Sequence, residues 1–427
     1  TIVDNRTGAN YEVPIEDGAV RATAFRQLHA TPDDRGLLVY DPAFMNTAAC
    51  RSAITFSDGE TGELRYRGYP IGALAARSPY LETAYLLVHG DLPTPTALAR
   101  WHSALAAHDR LPPAIDALIA AHPADASPIR VYMAAMGALG AHASRPAHRP
   151  DRAADLDAVV RVLGLAPHIA TRIAQHLGPT HAPGADTGTT CGWTDGLPHA
   201  LLGRASDTPW PAPLRQAWNA LLVLHADHQQ NLSTTTMRMI GSARVAPEFA
   251  LVGAAAALAG PRHGGAVEAV HRMLTRIGTT EHVPAFLAEV RAPGSGLRLP
   301  GFGSRVYKTD DPRAVIIREL CEQVHPIAGR GPLVEVAQAL ELAARADTYF
   351  ASRRLFPNVD FYAAQMFDAL GFTAQVFPLV FAMARTAGWL AQWFEGRHDA
   401  EQKILYPRQR YDGPPARDYV PVPARRT

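Results

Sequence analysis

The run Leu224-His225-Ala226-Asp227-His228-Gln229-Gln230-Asn231 closes an apolar helical pattern with two imidazoles and a carboxylate. Three later stretches share its character. They are Gly260-Pro261-Arg262-His263-Gly264-Gly265, Pro300-Gly301-Phe302-Gly303-Ser304-Arg305-Val306-Tyr307-Lys308, and Pro357-Asn358-Val359-Asp360-Phe361-Tyr362. Each lies where a helical pattern stops or is interrupted. Together they offer imidazoles, a carboxylate, glycines and cations, a mixture suited to proton transfer beside anionic substrates.

The surroundings read as a mainly α protein. From about Pro70 onward apolar residues recur at helical spacing. They predict helices near 80–90, 94–107, 112–121, 126–142, 151–176, 212–231, 246–259, 265–276, 281–290, 311–324, 333–347, 360–370 and 376–395. Proline and glycine clusters separate them. No strand–helix alternation is visible, which disfavours a doubly wound sheet. Residues 1–75 differ. Short β-type runs (Tyr11-Glu12-Val13, Leu37 to Tyr40, Ala53 to Phe56, Leu64 to Arg67) alternate with turn residues, and Asp58-Gly59 before Thr61-Gly62 predicts a hairpin. Val376 to Trp393 is apolar, but it carries Arg385, Gln392, Gly388 and Pro378. A mid-span arginine is costly in lipid, so the reading is a helix buried in a soluble protein.

Bulk properties narrow the function. The 427 residues carry a formal net charge of +1, with the basic residues scattered, so neither nucleic acid nor a membrane is the expected partner. Cys50, Cys191 and Cys321 lie far apart with no CxxC, which fits a reducing, cytoplasmic compartment and argues against a cysteine zinc site. Thr1 to Arg6 lacks the apolar core of a secretory signal.

Each station has a plain reading beside a functional one. His225 and His228, three apart on a predicted helix, share a face. They are satisfied core histidines, a weak HxxH zinc pair, or donors to an anionic or carbonyl oxygen. His263 stands at a helix–helix turn, and the helix opening beside it points its positive end there. A neutral imidazole in that place can donate to a developing enolate oxygen. Gly264 and Gly265 permit close backbone approach. The Gly301-Phe302-Gly303 loop, flanked by Arg298, Arg305 and Lys308, suits phosphates or is a plain turn. Asp311-Pro312 reads as N-cap and first helical residue. Arg313 then opposes the helix dipole unless an anion or a neighbouring aspartate meets it. Asp360 is an N-cap or a general base. Arg385, in an apolar helix, needs a partner: a substrate carboxylate or a structural acid.

Taken together the stations resemble the citrate synthase family in its long bacterial form. The likeness begins at Asp4-Asn5-Arg6-Thr7-Gly8 and passes through Tyr40-Asp41-Pro42-Ala43-Phe44 and Tyr66-Arg67-Gly68-Tyr69-Pro70-Ile71. It runs on through the four stations to Ala384-Arg385-Thr386-Ala387-Gly388-Trp389 and Pro407-Arg408-Gln409. The resemblance implies a citrate synthase-like fold with a strand-containing region at 1–75, a large helical domain at 76–259 and 366–427, and a small mobile helical domain at 260–365. It implies a homodimer or higher homo-oligomer. It also implies condensation of an acyl-CoA, acetyl-CoA above all, with a 2-oxo acid. The CoA thioester is a co-substrate, and neither a tightly bound cofactor nor a metal is expected. Carried over by position, Asp360 is the base at the acetyl methyl and His263 bonds the thioester oxygen. His228, Arg313 and Arg385, with His225 nearby, contact the 2-oxo acid. Arg298, Gly301, Gly303, Arg305 and Lys308 belong to the CoA segment.

Two positions depart from the pattern. Ser304 stands where the family has a catalytic histidine that contacts the acceptor ketone. Tyr406 stands where it has an arginine that reaches an acceptor carboxylate across the dimer. A hydrogen bond to a charged group is worth about 1.5–3 kcal/mol, so the second change implies about tenfold to a hundredfold weaker binding. These changes raise the expectation of an acceptor other than plain oxaloacetate, phosphonopyruvate being one candidate, with Arg244, Arg408 or Arg410 as an extra cation. The alternatives are an ordinary citrate or 2-methylcitrate synthase and a non-catalytic binding protein on the same scaffold.

Overall fold

A computed structural model describes residues 1–143, 149–177, 193, 196–202, 210–329 and 331–425. Cys191 and most of the polar loop after His142 fall outside them. Contacts gather the chain into two compact units, residues 1–51 with 405–427, and residues 52–404.

The first unit holds two small antiparallel hairpins, Ile2–Asp4 with Ala9–Tyr11 and Ile15–Glu16 with Ala19–Val20. Asp4 takes a two-pronged ion pair from Arg6, and the same guanidinium reaches Asp34. The run Leu37 to Tyr40, expected as a strand, is exposed and pairs with no strand. Its Leu37 amide instead donates to the Phe25 carbonyl at 3.1 Å, in the short helical turn before it.

The second unit opens on a three-stranded antiparallel sheet, Thr55–Asp58, Glu63–Tyr66 and Tyr69–Pro70. The expected hairpin is present. Asp58 faces Glu63 across the turn, and the Asp58 carboxylate accepts from the Glu60 amide. Helices follow. Apart from the one over 212–231, the expected ones appear within a few residues of their forecast ends. The helical spacing of Ile71, Leu74 and Ala75 is met by helix Ile71–Arg77, and Gly196–Leu201, Leu232–Gly241 and Thr348–Ser352 were not forecast as helices. Caps explain several starts: Thr94, Asn231, Asp311 and Asn358 each accept an amide of the first turn.

At the centre runs helix Phe377–His398. Every residue from Phe377 to Phe394 is buried, Arg385 among them. Trp389 and Trp393 of this helix, like Trp218, are among the largest fully buried side chains. No helix among the described residues is long and apolar enough to cross a membrane.

One expectation is corrected here. The helix forecast over 212–231 ends at His225, and a new helix starts at Leu232. His225 and His228 therefore do not share a helical face. The break is held by side chains that meet its backbone. The Tyr66 hydroxyl donates to the Asp227 carbonyl at 2.7 Å and accepts from the Asp227 amide. Asn231 caps the next helix, and Gln229 sits at a φ of 51°. Apolar spacing alone could not reveal this, because the helix stops where a distant tyrosine satisfies it.

Candidate active site

The interrupted segment 226–231 lies against the central helix. A Cβ on Gly388 would sit 2.0 Å from the Ala226 carbonyl oxygen, so only glycine permits this approach. Asp227 is fully buried. Its carboxylate accepts from Thr55 at 2.6 Å and from Gln392 at 3.3 Å, and burial raises its pKa. This anchors the backbone on which His228 stands.

The imidazoles are neutral. His225 donates from Nδ1 to the Leu221 carbonyl at 2.8 Å, leaving a buried Nε2 without a partner. Burial, then Arg313, lowers its pKa to about 3. His228 is held well below the ordinary value by burial and then by Arg313, Arg385, His263 and His225. Its Nε2 meets the Tyr307 hydroxyl at 3.1 Å. His263, in the turn between helices Pro247–Leu258 and Gly265–Ile277, is lowered to about 3 by burial and then by Arg385.

The His263 Nε2 lies 2.9 Å from Ser233 Oγ. That hydroxyl also accepts from the Trp389 indole at 3.2 Å and donates to Asn231 Oδ1 at 2.8 Å. Asn231 Oδ1 already receives the Thr234 amide. When the Ser233 proton turns to Nε2, the ring carries its own proton on Nδ1 and presents a donor there. Gly264 and Gly265 serve packing: added Cβ atoms would lie 2.7 Å from Leu258 and 2.9 Å from the Gly260 carbonyl.

Asn358, not Asp360, caps helix Val359–Ala369, accepting from the Asp360 amide at 2.9 Å. The Asp360 carboxylate is thus not spent on the cap. Burial raises its pKa to about 6, against the pull of Arg313 and Arg385. It stays ionised at neutral pH while being more basic than an ordinary aspartate, which suits a general base.

Two guanidiniums face this group. Arg313 is buried and held by Asp311 through Nε at 3.1 Å and Nη2 at 2.7 Å. Burial works against its charge, but the Asp311 carboxylate keeps its pKa above the usual value. The aspartate pairing named as the plain reading is thus present. Arg385 donates from Nε to the His225 carbonyl and lies over the Phe381 ring at 5.0 Å, while its buried Nη1 has no hydrogen-bond partner among the described residues. Burial pulls its pKa down to about 10. A buried, unpartnered guanidinium nitrogen asks for an anion.

The remaining expected residues are placed differently. Gly301 and Gly303, at φ 79° and 85°, lay their loop beside the segment leading to Asp360. The Asn358 amide donates to Gly301, and the Gly303 amide donates to Phe356, each at 2.8 Å. Arg298, Arg305 and Lys308 are exposed, and Lys308 pairs with Glu60. Ser304 is also exposed. Its Oγ accepts from the Val306 amide at 3.1 Å and the Tyr307 amide at 3.0 Å. Tyr406 belongs to the other unit, where it is 84% exposed. Among the described residues no cluster of three or more His, Cys, Asp or Glu could hold a metal. Sequence reading missed the roles of Tyr66, Ser233 and Tyr307, since none stands out by type or spacing.

A neutral imidazole pair, a basic carboxylate and two arginines beneath a helical scaffold define an enzyme of anionic carbon acids, one that moves protons beside carboxylates. Comparison with known proteins gives the family. The citrate synthase C-terminal domain model matches residues 43–408. The glyoxysomal citrate synthase of Cucurbita maxima is 42% identical over 433 residues, covering 99% of this chain and 83% of that protein. A citrate synthase of Dictyostelium discoideum is 39% identical, covering 100% of this chain and 84% of the relative. Among solved structures, the ternary complex of citrate synthase from Thermoplasma acidophilum with carboxymethyl coenzyme A and oxaloacetate superposes with a TM-score of 0.79. It is 28% identical and covers 89% of this chain and 98% of that one. The chain belongs to the citrate synthase family and is a citrate synthase-like acyltransferase, with a CoA thioester as co-substrate.

Proposed function

We propose that the protein condenses acetyl-CoA with oxaloacetate and releases CoA, as an ordinary citrate synthase does. The observation that carries this reading is Asp360, with its pKa raised to about 6, within electrostatic reach of Arg313 and Arg385, the second of which also reaches the neutral His263. Asp360 removes a proton from the acetyl methyl. His263 donates to the thioester oxygen as the enol forms, which lowers the barrier most where charge develops. The enol carbon then attacks the ketone carbon, and water cleaves the resulting thioester. The open Nη1 of Arg385 and the edge of Arg313 turned away from Asp311 take the acceptor carboxylates.

Expecting a different acceptor, phosphonopyruvate in particular, rested on Ser304 and Tyr406. Two observations favour oxaloacetate instead. Ser304 is exposed and its Oγ accepts from two amides of its own turn, and relatives near this level of identity bear the name citrate synthase. The experiment is thiol release from acetyl-CoA with a panel of 2-oxo acids. Oxaloacetate is expected to turn over fastest. Faster turnover of phosphonopyruvate overturns the reading, and failure of every acid, with no deuterium washout from the acetyl methyl, overturns catalysis itself.

Self-association is part of the proposal. Leu232, Met239 and Phe249 are exposed on adjacent helices, a face suited to a second copy. We also assign 260–365 as a segment that closes over the bound substrates and excludes water. A cytoplasmic location is proposed from the cysteine usage; three of the similar relatives are named glyoxysomal or peroxisomal.

A further inference from the structure

The 304–308 loop is fastened to the Thr55–Tyr66 hairpin rather than left to wander. The Lys308 amide donates to the Gly59 carbonyl at 2.9 Å, and Lys308 Nζ pairs with Glu60. A Cβ on Gly59 would sit 1.7 Å from the Val306 carbonyl oxygen, so the turn and the loop touch backbone to backbone. This clamp delivers one side chain inward. Tyr307 is 5% exposed, while its neighbours Arg305 and Lys308 face solvent.

We infer that Tyr307 is a positioning residue for the 2-oxo acid, acting through His228. It rests on the citrate synthase reading above, in which His228 contacts that substrate. Ser57 on the hairpin donates to the Tyr307 hydroxyl at 3.3 Å. The phenol proton is then left for His228 Nε2, 3.1 Å away. The relay Ser57–Tyr307–His228 fixes the plane of the imidazole and leaves its proton on Nδ1. Burial keeps the phenol protonated, as the relay requires. The hydroxyl in this part of the site therefore comes from position 307, three residues beyond the serine that departs from the family pattern. Arg313 lies within electrostatic reach of both His228 and Tyr307, which ties the relay to the acceptor side of the site.

The test is steady-state kinetics of Tyr307→Phe, Ser57→Ala and Ser304→Ala with acetyl-CoA and oxaloacetate, alongside thermal melts. Tyr307→Phe keeps the buried ring and removes one hydroxyl. It is expected to raise KM for oxaloacetate about tenfold, with KM for acetyl-CoA unchanged. Ser57→Ala is expected to shift the same constant in the same direction by a smaller factor, and so is Ser304→Ala, which removes the acceptor of the Tyr307 amide. Wild-type kinetics in Tyr307→Phe, or equal rises in both KM values with a lowered melt, overturn the proposal. A wild-type protein that does not use oxaloacetate overturns the parent reading instead, so the two failures are told apart.

Discussion

Asp360 shows how a single side chain is freed for chemistry. Because Asn358 takes the cap, the carboxylate can sit half-desolvated with a raised pKa. Removing its charge is expected to cost turnover steeply: Asp360→Asn should lower kcat by about a thousandfold or more, within the range such bases supply. The wild-type rate should fall on the acid side with an apparent pKa near 6, because the base must be ionised to accept a proton. An acid limb near pH 4 would refute that assignment. Ser233 offers a second check. Ser233→Ala strips the His263 Nε2 of its partner, so kcat should drop about tenfold while KM for oxaloacetate stays put. Asp360, His263 and Arg385 were legible in the sequence because each breaks its surroundings: a charge in an apolar helix, an imidazole between glycines, a carboxylate after Pro-Asn. Tyr307 and Ser233 were not. A tyrosine or serine near a turn is common, and only the fold brings them to an imidazole.

Elements were legible in kind and less so at their ends. The long apolar helices needed nothing but periodicity, and the hairpin at Asp58 to Gly62 needed only its turn residues. The stop at His225 depended on Tyr66 and Asn231, whose roles arise from tertiary contact. This break can be tested through its packing. Gly388→Ala would drive a methyl into the Ala226 carbonyl and the Asp227 side chain, an overpacking expected to cost about 1–3 kcal/mol. Both the melting temperature and activity should fall. A variant with unchanged melting would show that the segment can yield. Asn231→Ala is the milder probe, expected to cost about 1 kcal/mol through the lost cap.

At the scale of the molecule, buried neutral histidines set how stability responds to acid. His225, His228 and His263 have depressed pKa values, and His89, His108, His168 and His398 are shifted the same way. For each, the unfolded chain binds a proton that the folded one refuses. Their contribution is intact above the unfolded value near 6.5 and is lost as pH falls toward the folded values. Asp227 and Asp360, raised instead, act in the opposite sense but are fewer. The denaturant midpoint is therefore expected to fall between pH 7 and pH 5, as followed by circular dichroism. A midpoint that rises over that interval would contradict the neutral state assigned to these rings.

Helix Phe377–His398 carries one further implication. Of its residues only Glu395 and His398 escape burial. Such a segment has no side on which chance replacement goes unnoticed. In a library covering every position of this chain, functional clones should show a tract depleted of polar replacements there, with Glu395 also retained because its carboxylate pairs with Arg238 and Arg67.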